Sequence, residues 1–396
     1  MFTVYHSNQL EVQKDILVEL IQRQPLSNPL QPETVLVQSP GMAQWLQLQI
    51  AEQKGIAANF AFPMPASFIW QLYAENLPDV AQSNQFNKNA MMWRLMRLIP
   101  QYLEQEAFHP LRHYLAHSVQ SEQFKLYQLA GKIADLFDQY LVYRPNWIAA
   151  WEAHQEADIH HQIEAQSNFN NDRLSAQIEQ NIAWQASLWR ALVQAVKTET
   201  GLDLVQHRAH LHQLLLEKLR ENRPLFLPER LFIFGIPALP KAYLEIFQAI
   251  SQYCDVHLFF NNPCQEYWGD IVDPTFVKKL ALLTRTDYFN QANKPLLSAD
   301  QIAQVEQQWE VTHAQEKLQV GNPLLASWGK LGRDFSYLLT QLEPNEISAY
   351  AEIEPQNLLS QIQHQILHLM PSGSDPLNYQ ENDRTLTFHS CHSTMR

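Results

Sequence analysis

The sequence predicts an α/β protein: a parallel sheet covered on both faces, with a large all-helical segment inserted into it. Three observations carry this. Short β-branched and aromatic runs alternate with helical patterns early in the chain, at Phe2–Tyr5 and Thr34–Val37. The same alternation returns at Arg230–Phe234 and Val256–Phe260. Between these two regions, residues 66–222 show helical periodicity and no strand pattern.

The first strand leads directly into a helix. Asn8-x-x-Glu11 has the form of a capping box, and Leu10, Ile16, Leu17, Leu20 and Ile21 follow at helical spacing. The second unit repeats the plan. Thr34-Val-Leu-Val37 is continuously apolar, as in a strand buried on both faces. Gln38-Ser39-Pro40-Gly41 makes the turn, and helix 42–54 stops at Gly55. Phe60–Phe62 is a third strand, ended by Pro63 and Pro65.

In the inserted segment the periodicity predicts helices at 67–77, 88–105, 110–117, 122–141, 145–153, 178–198 and 204–221. The polar stretch 154–177 reads as a long disordered loop. After helix 240–252 and the strand at 256–260, helices are expected at 274–283 and 323–342. Residues 346–384 read as an acidic, Pro- and Ser-containing linker, and Thr385-Leu-Thr-Phe-His389 as one more strand without its helix. A chain stopping at such a strand is expected to be a fragment.

Composition narrows the function. The chain of 396 residues carries a net charge of −13, which argues against a sequence-blind nucleic-acid binder that works by neutralising phosphates. Only 10 glycines are present, which argues against Gly-rich phosphate loops. Three cysteines without C-x-x-C spacing fit a reducing compartment. No signal peptide and no membrane-spanning apolar run are evident, so a soluble cytoplasmic protein is expected.

A strand–turn–helix at the start of an α/β chain is where a nucleotide's phosphates normally sit, on a G-x-x-x-x-G-K-[ST] loop. Here the loop is His6-Ser7-Asn8-Gln9, with neither glycine nor lysine. Trp328-Gly329-Lys330-Leu331-Gly332 lacks the rest of that motif and reads as a packing element. The strand ending at Phe234 runs into Gly235-Ile236-Pro237, so no acid stands there to hold Mg²⁺. ATP hydrolysis by this chain is therefore not expected.

Other clusters have competing readings. His207-x-x-His210-x-His212 and His389-x-Cys391-His392 have metal-ligand residue types without a full ligand set, and satisfied histidines explain them better. Asp135 and Asp138 share a helix face and read either as a paired-carboxylate site or as a solvated face. The window 88–144 holds seven Lys and Arg against five acids, interleaved with Trp93, Tyr102, Phe124, Tyr127, Tyr140 and Tyr143. That mixture suits a path for a single strand. It equally suits an amphipathic helical subdomain whose aromatics form its core.

Several stretches together carry a resemblance. They are Val4-Tyr-His-Ser-Asn8, Val35-Leu-Val-Gln-Ser39, Gly41-Met-Ala-Gln-Trp-Leu46, Gly55-Ile-Ala-Ala-Asn59 and Pro65-Ala-Ser-Phe-Ile-Trp70. Asp135-Leu-Phe-Asp-Gln-Tyr-Leu-Val-Tyr-Arg-Pro145, Tyr267-Trp-Gly-Asp270, Gly321–Asp334 and Thr387-Phe-His389 extend the set. They resemble the RecC family, the gamma chain of bacterial exodeoxyribonuclease V, over essentially the whole chain apart from about 152–178.

The resemblance implies a superfamily 1 helicase-like, P-loop NTPase-like fold that has lost its ATPase motifs. Residues 1–65 and 223–345 would be inactive helicase domain 1A, 66–222 the helical domain 1B, and 385–396 the start of a truncated domain 2A. It implies a non-catalytic subunit partnered by RecB and RecD, with ATP and Mg²⁺ used by those partners and no metal in this chain. The DNA partners implied are duplex DNA and a 3′-ended single strand, read for the Chi sequence in a tunnel. Family residues implicated in that reading fall on Gln38, Gln44, Met64, Trp70, Asp135, Leu136, Asp138, Gln139, Arg144 and Arg208. Pro40 stands where the family carries a hydroxyl residue, and Met64 replaces a leucine. Both departures bear on which sequence is read. Two other readings stay open: a scaffold that never reads bases, and an active ATP-driven motor.

Overall fold

The computed structural model describes residues 1–78, 80, 84–116, 122–166, 172–201, 207–269, 271, 321–371 and 377–390. The chain forms two compact units, one of Met1–Met64, Pro228–Leu239 and Cys254–Arg396, the other of Pro65–Leu227 and Pro240–Tyr253.

The first unit is built on strands β1 (Phe2–Ser7), β2 (Glu33–Val37), β3 (Phe60–Ala61), β4 (Arg230–Phe234), β5 (Asp255–Asn261) and β6 (Asn345–Ser348). They form one parallel sheet in the order β3-β2-β4-β5-β1-β6. All six residues of β1 and all five of β4 are buried, which suits their mostly apolar, β-branched and aromatic sequences. Helices α1 (Leu10–Arg23) and α2 (Pro40–Lys54) follow β1 and β2. Leu17, Val18, Leu46 and Ile50 pack with Tyr5, Val35, Phe232, Phe234 and Phe259 in one core. Helix α2, expected at 42–54, begins two residues earlier at Pro40, with Ser39 Oγ accepting from Met42 N as its cap; Gly55 closes it at φ 80°, as the sequence predicts.

Arg230 ties this sheet to its surroundings. Its guanidinium is bidentate on Glu33, with Nε 3.0 Å from Oε2, and also donates to the carbonyls of Leu20 and Gln24. Both side chains are nearly buried, so the pair joins β4, β2 and the end of α1 through charge-assisted hydrogen bonds.

The second unit is helical. It holds α3 (Pro65–Asn76), α4 (Lys88–Tyr102), α5 (His109–Ala116), α6 (Glu122–Tyr143), α7 (Pro145–Glu152), α8 (Glu156–Gln166), α9 (Asp172–Thr200), α10 (Arg208–Glu221) and α11 (Lys241–Ile250). Phe86, Phe137, Trp151 and Trp189 centre its core, with Phe137 and Trp189 edge-to-face at 5.4 Å. Although α11 lies between β4 and β5 in sequence, it belongs to this unit: Glu245 pairs with His212 of α10 at 2.9 Å.

Four expectations are corrected. Asn8 does not cap α1; the helix starts at Leu10 without a side-chain cap, because the Asn8 amide is engaged by Ala351 instead. The stretch 154–177 is not a loop throughout, since α8 and the start of α9 fall within it. Among the described residues of this stretch, Ile159 and Ile163, four residues apart, pack on the core. Residues 346–384 are not a linker: they hold most of β6 and α14 (Leu358–Leu367). All four residues of β6 are exposed at the sheet edge, so no apolar pattern announces it. Finally, 385–389 form no strand, and Phe388 is exposed.

The helix expected at 323–342 is two, α12 (Pro323–Trp328) and α13 (Lys330–Thr340), parted at Gly329. The helix expected at 274–283 lies outside the described residues. Among the described residues no helix is long and apolar enough to cross a membrane.

Two outcomes follow from this packing. Arg230→Met leaves Glu33 buried without its partner and is expected to cost about 3–5 kcal/mol in urea unfolding. His257 of β5 is buried, stacked on Phe232 at 5.2 Å, with Tyr5 Oη on its Nδ1 and, among the described residues, no partner for Nε2. Burial pushes its imidazole down to about 4 from an ordinary 6.5. Its contribution is therefore complete above pH 6.5 and is lost as pH falls to about 4, on the order of 3 kcal/mol. Unfolding midpoints of the wild type should fall more steeply over that window than those of His257→Phe.

Candidate nucleic-acid interface

Ligands of open parallel sheets bind beyond the carboxyl ends of the strands. In this sheet that edge is filled by the chain itself. After β1, Ser7 Oγ accepts from Gln9 N at 3.2 Å, which consumes an amide of the turn. The Asn8 amide then clamps Ala351 both ways, donating to its O and accepting from its N, each at 2.9 Å. Beyond β5, buried Asn262 accepts from Trp268 Nε1 at 2.9 Å and from Cys264 N at 3.3 Å. Its own amide donates to Tyr350 Oη at 2.8 Å. Burial lowers the pKa of His6, at the end of β1, favouring the neutral ring.

Trp268 in turn explains the Trp328-Gly-Lys-Leu-Gly332 motif. A Cβ at Gly329 would meet the Leu325 carbonyl and stand 2.9 Å from the Trp268 ring; at Gly332 the gap to that ring is 3.2 Å. The glycines admit an indole rather than a phosphate. Gly235, where an acid for Mg²⁺ would be expected, has φ +66°, and a Cβ there would lie 2.8 Å from Met42 Cε.

The β2–α2 turn remains open. Gln38, Pro40 and Gln44 are exposed on it, Pro40 at the first helical position. Val37 N donates to Pro63 O at 3.3 Å, which sets Met64, 49% exposed, beside the start of the same turn. The sheet unit thus gathers four of the sequence-selected residues at one turn, presenting two amides and a thioether.

In the helical unit the others are spread over four places. Trp70 and Arg208 line one cleft, together with Tyr73, Val142, Pro145 and Tyr243. Arg208 Nη1 reaches Asp138 Oδ1 at 3.3 Å. One turn away Asp135 pairs with Lys88 Nζ at 2.6 Å and accepts from Gln139 Nε2 at 3.4 Å. The hydrogen bond from Lys88, with its charge, lowers the Asp135 pKa and keeps it an anion. Arg144, exposed between α6 and α7, lies over the Trp147 ring at 5.7 Å. Leu136 is half-buried on α6. Asp135 and Asp138 are therefore not a carboxylate pair: each has its own cation.

The basic window resolves similarly. Arg94 and Arg97 converge on Glu199, and Lys125 sits over the Tyr114 ring at 4.8 Å. Tyr102 and Tyr140 pack on the core, whereas Trp93 and Tyr143 are each 60% exposed. His207, singled out as a metal ligand type, caps α10 with Nδ1 and reaches Glu152 with Nε2 at 2.9 Å. His212 is bound to Glu245 instead, so the three histidines do not form a ligand set. His392 and Cys391 lie outside the described residues. A cluster the sequence reading missed is Glu352, His364 and His368; its signal was the His-x-x-x-His spacing, hidden inside the supposed linker.

These features define a parallel α/β sheet unit whose carboxyl edge is occupied by its own side chains after β1 and β5, with an open polar turn after β2. The family model "RecC, N-terminal domain" matches residues 2–369, and the chain belongs to the RecC family. It is 57% identical over its whole length to the RecBCD enzyme subunit RecC of Haemophilus influenzae and 43% identical to that of Escherichia coli. The RecC of Mycolicibacterium smegmatis is 26% identical over 94% of the chain. The chain spans about a third of the length of the first two relatives, 35% and 34%.

The network at Asn262 is directly testable. Asn262→Ala strands the Trp268 indole N–H in a buried site and should cost about 1–3 kcal/mol in thermal unfolding. Retention of the full wild-type melting temperature would show that Asn262 does not hold this edge together.

Proposed function

We propose that this chain is a non-catalytic, DNA-handling part of a RecBCD-type helicase–nuclease, acting in the cytoplasm with RecB- and RecD-like partners during double-strand break repair. In this reading it is a helicase-like domain 1A with an inserted helical domain 1B. It forms part of the passage for the 3′-ended strand and takes part in reading Chi; ATP and Mg²⁺ serve the partner subunits.

The observation that carries the reading is the contrast at the sheet's carboxyl edge. The turn after β1 is closed by Ser7 and Asn8, while the next turn, with Gln38 and Gln44, is open. Glutamine amides present a donor and an acceptor together, which matches the edge of a base better than a phosphate. Trp70 beside Arg208, and Arg144 over Trp147, supply the stacking and charge that unpaired bases use. Pro40 at the helix start carries no backbone N–H, which removes a donor from the turn.

A scaffold that reads no bases is the second reading. The ion pairs Asp135–Lys88 and Asp138–Arg208 favour it, because both acids already have partners within the chain.

In the assembled complex, Gln44→Ala and Trp70→Ala are expected to leave unwinding intact while response to the recognition sequence falls at least tenfold. Photocrosslinking from single-stranded DNA should mark Gln38, Trp70 or Arg144. Crosslinks confined to other surfaces, with a normal response in both variants, would favour the scaffold. Saturable ATP binding by this chain alone would revive the motor reading.

A further inference from the structure

We propose that Glu352, His364 and His368 form a divalent transition-metal site, best suited to Zn²⁺, which staples α14 to the segment following β6. One ligand atom from each of the three lies within 4.8 Å of the others. His364 lies in the last turn of α14 and His368, four residues on, is its C-cap; their ring centroids are 4.5 Å apart. Both rings point at one carboxylate oxygen: Glu352 Oε1 is 2.9 Å from His368 Nε2 and 3.3 Å from His364 Nδ1. In a tetrahedral site with bonds of about 2.0–2.1 Å, neighbouring ligand atoms stand about 3.3 Å apart. The two pairs meeting at Oε1 are already close to that spacing, so a metal replaces shared protons with little movement.

The surroundings orient these ligands. The Gln265 amide meets His368 Nδ1 at 2.8 Å, and the Gln265 backbone N donates to Leu367 O at 3.0 Å. That amide can turn its oxygen toward Nδ1–H once Nε2 is occupied, as outer partners of ligating histidines do. His364 Nδ1 also lies 3.0 Å from the Ile353 carbonyl, a hydrogen bond that coordination would exchange. The start of α14 is pinned by a capping box between Asn357 and Ser360, and Asp383 accepts from Leu358 N at 2.7 Å. Ala351, next to Glu352, is held by Asn8. Both sides of the site are thus fixed before a metal arrives.

Two imidazoles and one carboxylate select a borderline ion over Mg²⁺ or Ca²⁺, which take oxygen ligands. Glu352 is exposed and the histidines are half-buried, so water completes the coordination. The site makes no demand on DNA reading, and its test is independent of that role.

The chain, stripped with chelator and dialysed, is titrated with Zn²⁺ by calorimetry, and with Co²⁺ by visible absorption. The expected result is one tight Zn²⁺ per chain, a Co²⁺ spectrum of low-coordinate type, and a raised melting temperature. Glu352→Gln should weaken binding at least tenfold. His364→Gln with His368→Gln should abolish it, with circular dichroism unchanged. No stoichiometric Zn²⁺ binding by the wild type would overturn the proposal without recourse to any variant. Undiminished binding by the folded double variant would overturn it as well.

Discussion

Asn262 is the point on which the carboxyl edge of the sheet depends. A parallel sheet ends in a crevice of strand termini and helix starts, and polar groups there must be satisfied by a ligand, by water or by the chain. Asn262 serves three of them at once: the Trp268 indole, the Cys264 amide and the Tyr350 hydroxyl. Through Trp268 it reaches the glycines of α12 and α13, and through Tyr350 the segment after β6. Asn8 adds a second lock on that segment at Ala351. At this edge the amide side chains of Asn262 and Asn8 supply donors and acceptors to the neighbouring segments.

Charge in the helical unit follows a comparable economy. The window 88–144 has a surplus of Lys and Arg, yet Lys88, Arg94 and Arg97 are each engaged by a carboxylate. The surplus therefore makes no bare cationic stripe of those residues. The exposed residues there are mixed and include Trp93, Tyr127, Lys132, Gln139, Tyr143 and Arg144. Phosphate contacts position a nucleic acid, and base contacts specify it. A surface of amides and rings in a chain of net charge −13 is suited to the second task.

Histidine shows how far residue type alone misleads. His207, His210 and His212 have the spacing of ligands, but His207 is drawn inward as a helix cap and partner of Glu152. Glu152 also accepts from the Trp189 indole in the core, so that histidine is structural. The pair that does converge on an acid, His364 and His368, sits on a helix whose flanks read as linker. Which histidines meet a carboxylate is decided by packing, because the partner comes from a distant or separately folded segment.

Short apolar runs were enough to locate β1, β2, β4 and β5, since strands buried on both faces are largely apolar. Gly55 likewise announced the end of α2, because a helix breaker acts through its own backbone, while its start at Ser39 and Pro40 was read as a turn. The family was also legible. Exposed β6 was not, for it is held by backbone pairing to β1 and needs no apolar side chain. Nor was the fate of Asn8, Asp135 and Asp138, whose partners Ala351, Lys88 and Arg208 stand 343, 47 and 70 residues away. Local chemistry is written in neighbouring residues and survives without a fold. Pairing across such distances exists only once tertiary structure has brought the partners together.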